Sequence, residues 1–350
     1  MREREQVSLA PLTTLHIGGP ARRLIEIERE PEILELEHEM RVNQQPLFVL
    51  GGGSNIVVGD EGWSGVVAHV ALKGTSSRRD GSNVLLDVAA GEGWDEIVER
   101  TVREGWAGLE CMSGIPGLVG ATPIQNVGAY GQEVSDTIVH VRAFDRAAGA
   151  FVTISTGTCG FGYRSSIFKG SDRWMVTSVR FSLDASRGAR PIRYAELARA
   201  LAATHASPPP LRAVRDAVLD LRRSKGMVID RLDPDSISAG SFFVNPVVDE
   251  QRLPNLEAVA GDRPPAFQAG PGKVKVAAAW LVERAGFPKG WTFGPVGLSK
   301  KHALALVNLG GATAHELLTA ARWIQNGVAA RFGIVLQPEP VLVGCSWPTS

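Results

Sequence analysis

The chain has 350 residues, 44% of them hydrophobic, with 37 basic and 37 acidic side chains and a formal net charge of zero. At roughly 150 residues per domain, that length suggests two or three domains, each able to bury a core. The balanced charge argues against a nucleic-acid binder, no window approaches ~18 uninterrupted apolar residues, and the charged start MREREQVSLAPLTT lacks a secretory apolar core.

Short β-type runs dominate the first half, at residues 24–28, 47–50, 66–70, 84–90, 138–144, 151–154 and 175–183. Two helical windows interrupt them. One, at 31–40, opens on Pro31; the other, at 94–102, sets Trp94, Ile97, Val98 and Thr101 on one stripe. Residues 143–154 read as a hairpin turning around Ala147-Ala148-Gly149. Pro208-Pro209-Pro210 then breaks the chain, and Leu211, Val214, Val218 and Leu221 follow at helical spacing, closed by Arg222, Arg223 and Lys225. Further helices are expected at 274–285 and from Thr313, whose spacing to Glu316 is that of a capping box. The tail, 334–344, reads as a strand that returns to the first domain. The pattern is α+β without regular βαβ alternation, and it changes texture between about 185 and 225.

Glycine is unusually frequent, at 39 residues. Gly51-Gly52-Gly53-Ser54-Asn55 follows an apolar run and can form either an anion-binding nest or an ordinary hairpin turn. It is neither a dinucleotide G-x-G-x-x-G nor a P-loop. Residues 113–131 contain five glycines and two prolines with few charges, so neither a regular helix nor a strand interior fits. Such a segment suits a stiff wall approached closely by a flat ligand, with Gln125 and Asn126 amides as donors. The bland alternative is a buried crossover loop.

Taken singly, the polar candidates are ambiguous. Arg164 beside Tyr163 is a carboxylate or enolate clamp or a surface ion pair. Ser241, in Ala-Gly-Ser-Phe-Phe, is a positioned hydroxyl or a turn serine, and no Gly-x-Ser-x-Gly elbow marks a hydrolase. Glu339 lies between two prolines in a rigid tail. His302 reads as a loop or helix-start residue. Cys111, Cys159 and Cys345 are odd in number and far apart, which fits neither a disulfide framework nor a zinc site, and the seven histidines show no metal spacing.

The two glycine loops, Gly162-Tyr163-Arg164, Ser238-Ala239-Gly240-Ser241-Phe242-Phe243, Asn245-Pro246, Pro338-Glu339 and the leader Thr13-Thr14-Leu15-His16-Ile17-Gly18-Gly19 together resemble the UDP-N-acetylenolpyruvoylglucosamine reductases (MurB), of the long-insertion type. The resemblance runs from about residue 14 to 344. It implies a two-subdomain PCMH-type FAD-binding region over 1–190 (about 1–75 and 76–190). A C-terminal α+β substrate-binding domain over 191–335 and a tail, 336–350, carrying Glu339 would complete the chain.

By that resemblance FAD is held non-covalently by Gly51, Gly52, Gly53, Ser54, Asn55, Ser113, Gly114, Ile115, Pro116, Gly117, Ala121, Gln125, Asn126, Gly128, Ala129, Tyr130 and Gly131. NADPH is the reductant. Hydride passes from FAD N5 to C3 of UDP-N-acetylglucosamine enolpyruvate, Ser241 protonates C2, and Arg164 and Glu339 stabilise the enolate. Tyr163, Arg164, Tyr194, Lys225, Ser241 and Asn245 would bind substrate, with Glu283 a weaker candidate. Tyr194 has a packing alternative and Lys225 a solvated-helix-end alternative.

The sequence departs from the family's pattern at Val244, where many members have Lys, at Ser165, where an acid often follows the arginine, and after Lys225. The expected protein is a cytoplasmic monomer acting in peptidoglycan synthesis, without nucleic-acid or membrane partners. An oxidase on the same flavin fold would want His or Cys near the glycine loops for covalent flavin, and 51–55 and 113–131 have neither. A binding protein that has lost catalysis would lack one of Arg164, Ser241 and Glu339, and all three are present.

Overall fold

The computed structural model describes residues 1–186, 188–202 and 208–348. The chain divides into two compact units: Met1–Val7, Ala21–Gly52 and Ser64–Ser224 form the first, and Ser8–Pro20, Gly53–Trp63 and Lys225–Ser350 the second. The chain therefore changes unit inside the Gly51–Asn55 motif.

The first unit carries two sheets. One is four-stranded, in the order Arg2–Ser8, Pro20–Ile27, Trp63–Val70, Leu47–Leu50. Helix α1 (Glu30–Asn43) buries Ile33, Leu36 and Met40 in the same core as Ile25, Ile27, Val66 and Ala68. The other is a five-stranded antiparallel sheet, Ala150–Ser155, Ile138–Asp145, Trp174–Asp184, Asn83–Ala89, Thr75–Asp80. The expected hairpin is present, with Asp145 opposite Ala150 at its end. Its edge strand Thr75–Asp80 was not expected, because every residue in TSSRRD is exposed and no apolar alternation marks it. A charged edge of that kind resists pairing with other chains.

Helix α2 (Trp94–Arg103) buries Trp94, Ile97, Val98, Thr101 and Val102, as its stripe predicts. Helices α3 (Ala195–Ala202) and α4 (Leu211–Arg223) belong to this first unit rather than to a domain beginning at 191. Their apolar faces explain why: Leu197, Leu201, Leu211, Val214 and Val218 share a core with Val102, Ala107 and Cys111.

In the second unit, α5 (Leu253–Ala260), α6 (Ala278–Arg284) and α7 (Ala314–Phe332) accompany a four-stranded sheet, Ser238–Ser241, Ala305–Asn308, Val296–Leu298, Thr292–Phe293, and a three-stranded one. The capping box of α7 forms: Thr313 Oγ1 accepts from the Glu316 amide at 3.1 Å, and Glu316 accepts from the Thr313 amide at 2.9 Å.

Two expectations need correction. The helix expected over 274–285 begins only at Ala278; Lys273–Val276 is a strand between Val247–Asp249 and Ala266–Gln268. There Val274 and Val276 are buried while Lys273 is exposed and Lys275 half-exposed, a two-residue period. The tail is a strand only over Val341–Val343, paired in parallel with Ile56–Val58, because Pro338 and Pro340 cannot donate to a ladder. Its partner Ile56–Val58 lies in the second unit.

Candidate active site

In the first unit the two glycine motifs meet backbone to backbone. A Cβ added at Gly52 would lie 2.6 Å from the Gly117 Cα, so nothing larger than glycine fits without moving the wall. Ser113, Gly114, Ile115, Pro116 and Gly117 are laid along the start of α2. The Trp94 amide donates to the Gly117 carbonyl at 3.0 Å, and the Trp94 indole to the Met112 carbonyl at 3.2 Å. Ser113 is fully buried, and its hydroxyl donates to the Glu110 carbonyl at 2.7 Å. Ala121 faces Gly51, 3.6 Å from where its Cβ would stand.

A clamp that the sequence alone did not reveal holds this wall. Asp95, in the first turn of α2, accepts the Gly114 amide at 2.6 Å. The same carboxylate receives both guanidinium nitrogens of Arg215 on α4, at 2.6 and 2.8 Å. Burial raises the Asp95 pKa, but the Arg215 hydrogen bonds, the Gly114 amide and the guanidinium charge outweigh it and hold the carboxyl below its ordinary range. Asp95 thus couples the glycine-loop backbone to the α3–α4 hairpin.

Farther along the loop the backbone is strained. Of six non-glycine residues with positive φ among those described, three are Asn126, Tyr130 and Arg164. Such conformations cost about 1–3 kcal/mol each and collect where a site over-determines them. Asn126 is buried, and its amide is engaged inside the loop: it donates to Glu133 at 2.7 Å and to the Gly162 carbonyl at 3.1 Å, and accepts from the Ser135 amide. Its role is therefore to tie three segments together. Half-buried Gln125 precedes it.

Gly128 and Ala129 pair with Glu133 and Gln132 in a short hairpin, and Gly131 turns at φ 84° with its Cβ position 3.0 Å from Arg193. Arg164 sits at the tip of a turn in which Gly162 and Ser165 exchange backbone hydrogen bonds, and it donates to the Gly128 carbonyl at 3.0 Å. Its guanidinium also lies 5.5 Å from the Tyr163 ring centre. Tyr194 packs edge-on against Tyr130, 5.2 Å between centroids. The first unit thus places Arg164 and Tyr194 on one hairpin, 128–133.

The second unit gathers the other candidates. Gly53 has φ 61°, and a Cβ there would collide with the Leu12 carbonyl; the Thr14 amide in turn donates to the Gly53 carbonyl at 3.1 Å. The leader thereby pins Gly53, and the Thr14 hydroxyl reaches the Ser54 carbonyl at 3.5 Å. Asn55 binds the tail: its Nδ2 donates to the Glu339 carbonyl at 3.4 Å, and its carbonyl accepts from the Val341 amide at 3.0 Å. The Glu339 amide donates to the Phe242 carbonyl at 2.8 Å. Ser241 and Glu339, remote in sequence, are therefore carried on hydrogen-bonded neighbouring backbone.

Ser241 ends its strand at an irregularity in the pairing with Ala305–Asn308, where Gly240 has φ 72°. A bulge re-aims the side chain that follows it. The Ser241 hydroxyl lies 3.0 Å from His302 Nε2. Burial and the charges of Lys225 and Lys289 pull the His302 pKa down to about 4, so its ring is neutral near pH 7. This contact was missed because His302 carries no spacing signal and its serine lies 61 positions away. Asn245 uses its side-chain oxygen to accept the Ala278 amide at 2.8 Å, fixing the start of α6, the helix that also carries Glu283.

Comparison with known proteins gives a consistent picture. Residues 233–343 match the family model for the C-terminal domain of UDP-N-acetylenolpyruvoylglucosamine reductase, and residues 21–155 match that of an FAD binding domain. The chain is 52% identical to the UDP-N-acetylenolpyruvoylglucosamine reductase of Thermobifida fusca over 345 residues, covering 97% of each chain. It is 49% identical to that of Streptomyces coelicolor over 352 residues, 98% of this chain and 91% of the other. The crystal structure of the Thermus caldophilus reductase superposes with a TM-score of 0.67 at 27% identity, covering 98% of this chain and all of that one.

The α+β chain therefore carries an FAD-binding domain followed by the reductase C-terminal domain. Among the described residues no helix is long and apolar enough to cross a membrane. The close glycine packing has a measurable consequence. Gly52→Ala should cost about 1–3 kcal/mol of stability by overpacking against Gly117. Chemical denaturation measures it, and unchanged stability would refute the close approach.

Proposed function

We infer, because the chain belongs to the UDP-N-acetylenolpyruvoylglucosamine reductase family, that it reduces UDP-N-acetylglucosamine enolpyruvate to UDP-N-acetylmuramate with NADPH. The setting is peptidoglycan synthesis in the cytoplasm, and the working form is a monomer. The observation that supports this most is the hydrogen bond of the Glu339 amide to the carbonyl of Phe242, the residue after Ser241, together with that of Asn55 Nδ2 to the Glu339 carbonyl. These bonds join the backbone beside the serine, the tail that bears the glutamate and the end of the glycine motif within the second unit.

Gly51, Gly52, Gly53, Ser54 and Asn55 with the 113–131 loop would hold the FAD. Their sequence has neither Cys nor His, consistent with non-covalent binding. The flavin, when bound, supplies the hydride that NADPH has delivered to it. Arg164 stabilises negative charge developing at C2 and spreading into the substrate carboxylate, because its guanidinium is a permanently charged planar donor. Glu339 completes that polar site, and Ser241 gives the proton to C2. Tyr163, Tyr194, Lys225 and Asn245 hold the nucleotide sugar, Lys225 by charge on the diphosphate.

The test is anaerobic. The flavin is bleached with NADPH and the enolpyruvyl nucleotide is then added; prompt return of the flavin colour is expected. A flavin that stays reduced would refute the assignment.

A further inference from the structure

We propose that His302 is the positioning residue of the proton step: its Nε2–H donates to Ser241 Oγ and thereby leaves the hydroxyl proton aimed at the substrate carbon. The inference rests on the reading of Ser241 as proton donor and deepens it. The Oγ to Nε2 separation is 3.0 Å, and both groups belong to one rigid frame. Ser241 ends the strand paired with Ala305–Asn308, and His302 lies in the turn that leads into that same partner strand.

The turn is itself pinned. Ser299 Oγ accepts the amides of Lys301 and His302 at 3.0 and 3.2 Å. The Ser299 amide donates to the Ala305 carbonyl at 2.9 Å, and the Ala305 amide to the His302 carbonyl at 3.2 Å.

A neutral imidazole has one N–H, so the direction of the bond is a choice between tautomers. If Ser241 donated to the ring, its single proton would be occupied and unavailable for the substrate. With Nε2–H donating, the serine keeps its proton for transfer, and the same N–H faces the alkoxide that transfer creates. In the step, two electrons reach C3 as hydride from the reduced flavin. The Oγ–H bond breaks as the C2–H bond forms, and the Oγ alkoxide recovers a proton from water. His302 neither gains nor loses a proton over the cycle.

Nitrogen NMR of the oxidised holoenzyme at pH 7 reads the tautomer directly, with the His302 signals assigned by their loss in His302→Gln. Nε2 is expected to be protonated and Nδ1 bare, and Ser241→Ala should shift the Nε2 signal. A ring protonated at Nδ1 overturns the assignment. Kinetically, His302→Ala should slow flavin reoxidation by the enolpyruvyl nucleotide about 100-fold, the usual loss for one donor to a developing oxyanion. Flavin reduction by NADPH should hold within about twofold, since that half-reaction makes no alkoxide at Ser241.

His302→Gln, whose amide N–H reaches the Nε2 position, should regain about tenfold of that rate. Equal slowing in both variants, or a matching slowing of reduction by NADPH, would indicate a structural role and overturn the proposal. A wild-type enzyme that substrate fails to reoxidise would instead overturn the substrate reading and the proton role with it, whereas an Nδ1–H ring overturns the His302 assignment alone.

Discussion

Replacing Ser241 with alanine should slow reoxidation of the reduced flavin by substrate by about 10²–10⁴-fold, the range for removing one positioned acid. Flavin reduction by NADPH should continue at close to the wild-type rate. The separation follows from chemistry, because only the second half-reaction places a proton on carbon. Folding should be little affected: the side chain is half-buried and its hydroxyl contacts His302, while the backbone pairing with Ala305 and the Phe242–Leu304 hydrogen bond of 2.8 Å do not depend on Oγ. Stopped-flow absorbance of the two half-reactions measures both rates. A comparable loss in each, or no loss in reoxidation, removes Ser241 from the proton step.

The second large effect is expected far from the reacting atoms. Asp95→Ala takes the carboxylate from Arg215, whose side chain is only 6% exposed, and leaves that cation without its bidentate partner. Breaking a fully buried pair costs about 3–5 kcal/mol. The Asp95 side chain is 37% exposed, so water screens part of the interaction and about 2–3 kcal/mol is expected. Chemical denaturation measures the stability.

FAD affinity should fall as well, since the Gly114 amide loses its acceptor. Asp95→Asn should spare more of the flavin affinity than of the stability, because an amide oxygen still accepts from Gly114 but carries no charge for Arg215. Unchanged stability in Asp95→Ala would show that the clamp is not energetic.

The clamp also has a pH signature. The folded pKa of Asp95 lies below its unfolded value, so its contribution is fully present above the ordinary carboxylate range and fades as pH falls through the folded value. Stability of the wild type should therefore drop on acidification more steeply than that of Asp95→Ala. Parallel pH profiles for the two proteins would argue against the ion pair as the cause.

Local chemistry was readable from the sequence wherever it is a matter of neighbouring residues. The stripe of α2, the hairpin ending at Asp145 and Ala150 and the Thr313–Glu316 cap each need only contacts between residues a few positions apart, and all three form. The period-two alternation of Lys273–Val276 was equally local but was overrun by the helix that begins at Ala278. The polar strand Thr75–Asp80 has no pattern of its own; it is a strand because Asn83–Ala89 offers it a ladder.

What the residues alone determined was which chemistry is present: glycines where a Cβ would collide, a serine, a guanidinium and a carboxylate in ordered motifs. Which group touches which was decided only by tertiary structure. Asp95 meets Arg215, the Glu339 backbone meets Phe242 and Asn55, and His302 meets Ser241 because sheets and helix pairs close distances that no spacing rule spans. The physical reason is that long-range contacts follow from burying apolar faces, and the polar partners are carried along by the strands and turns on which they ride.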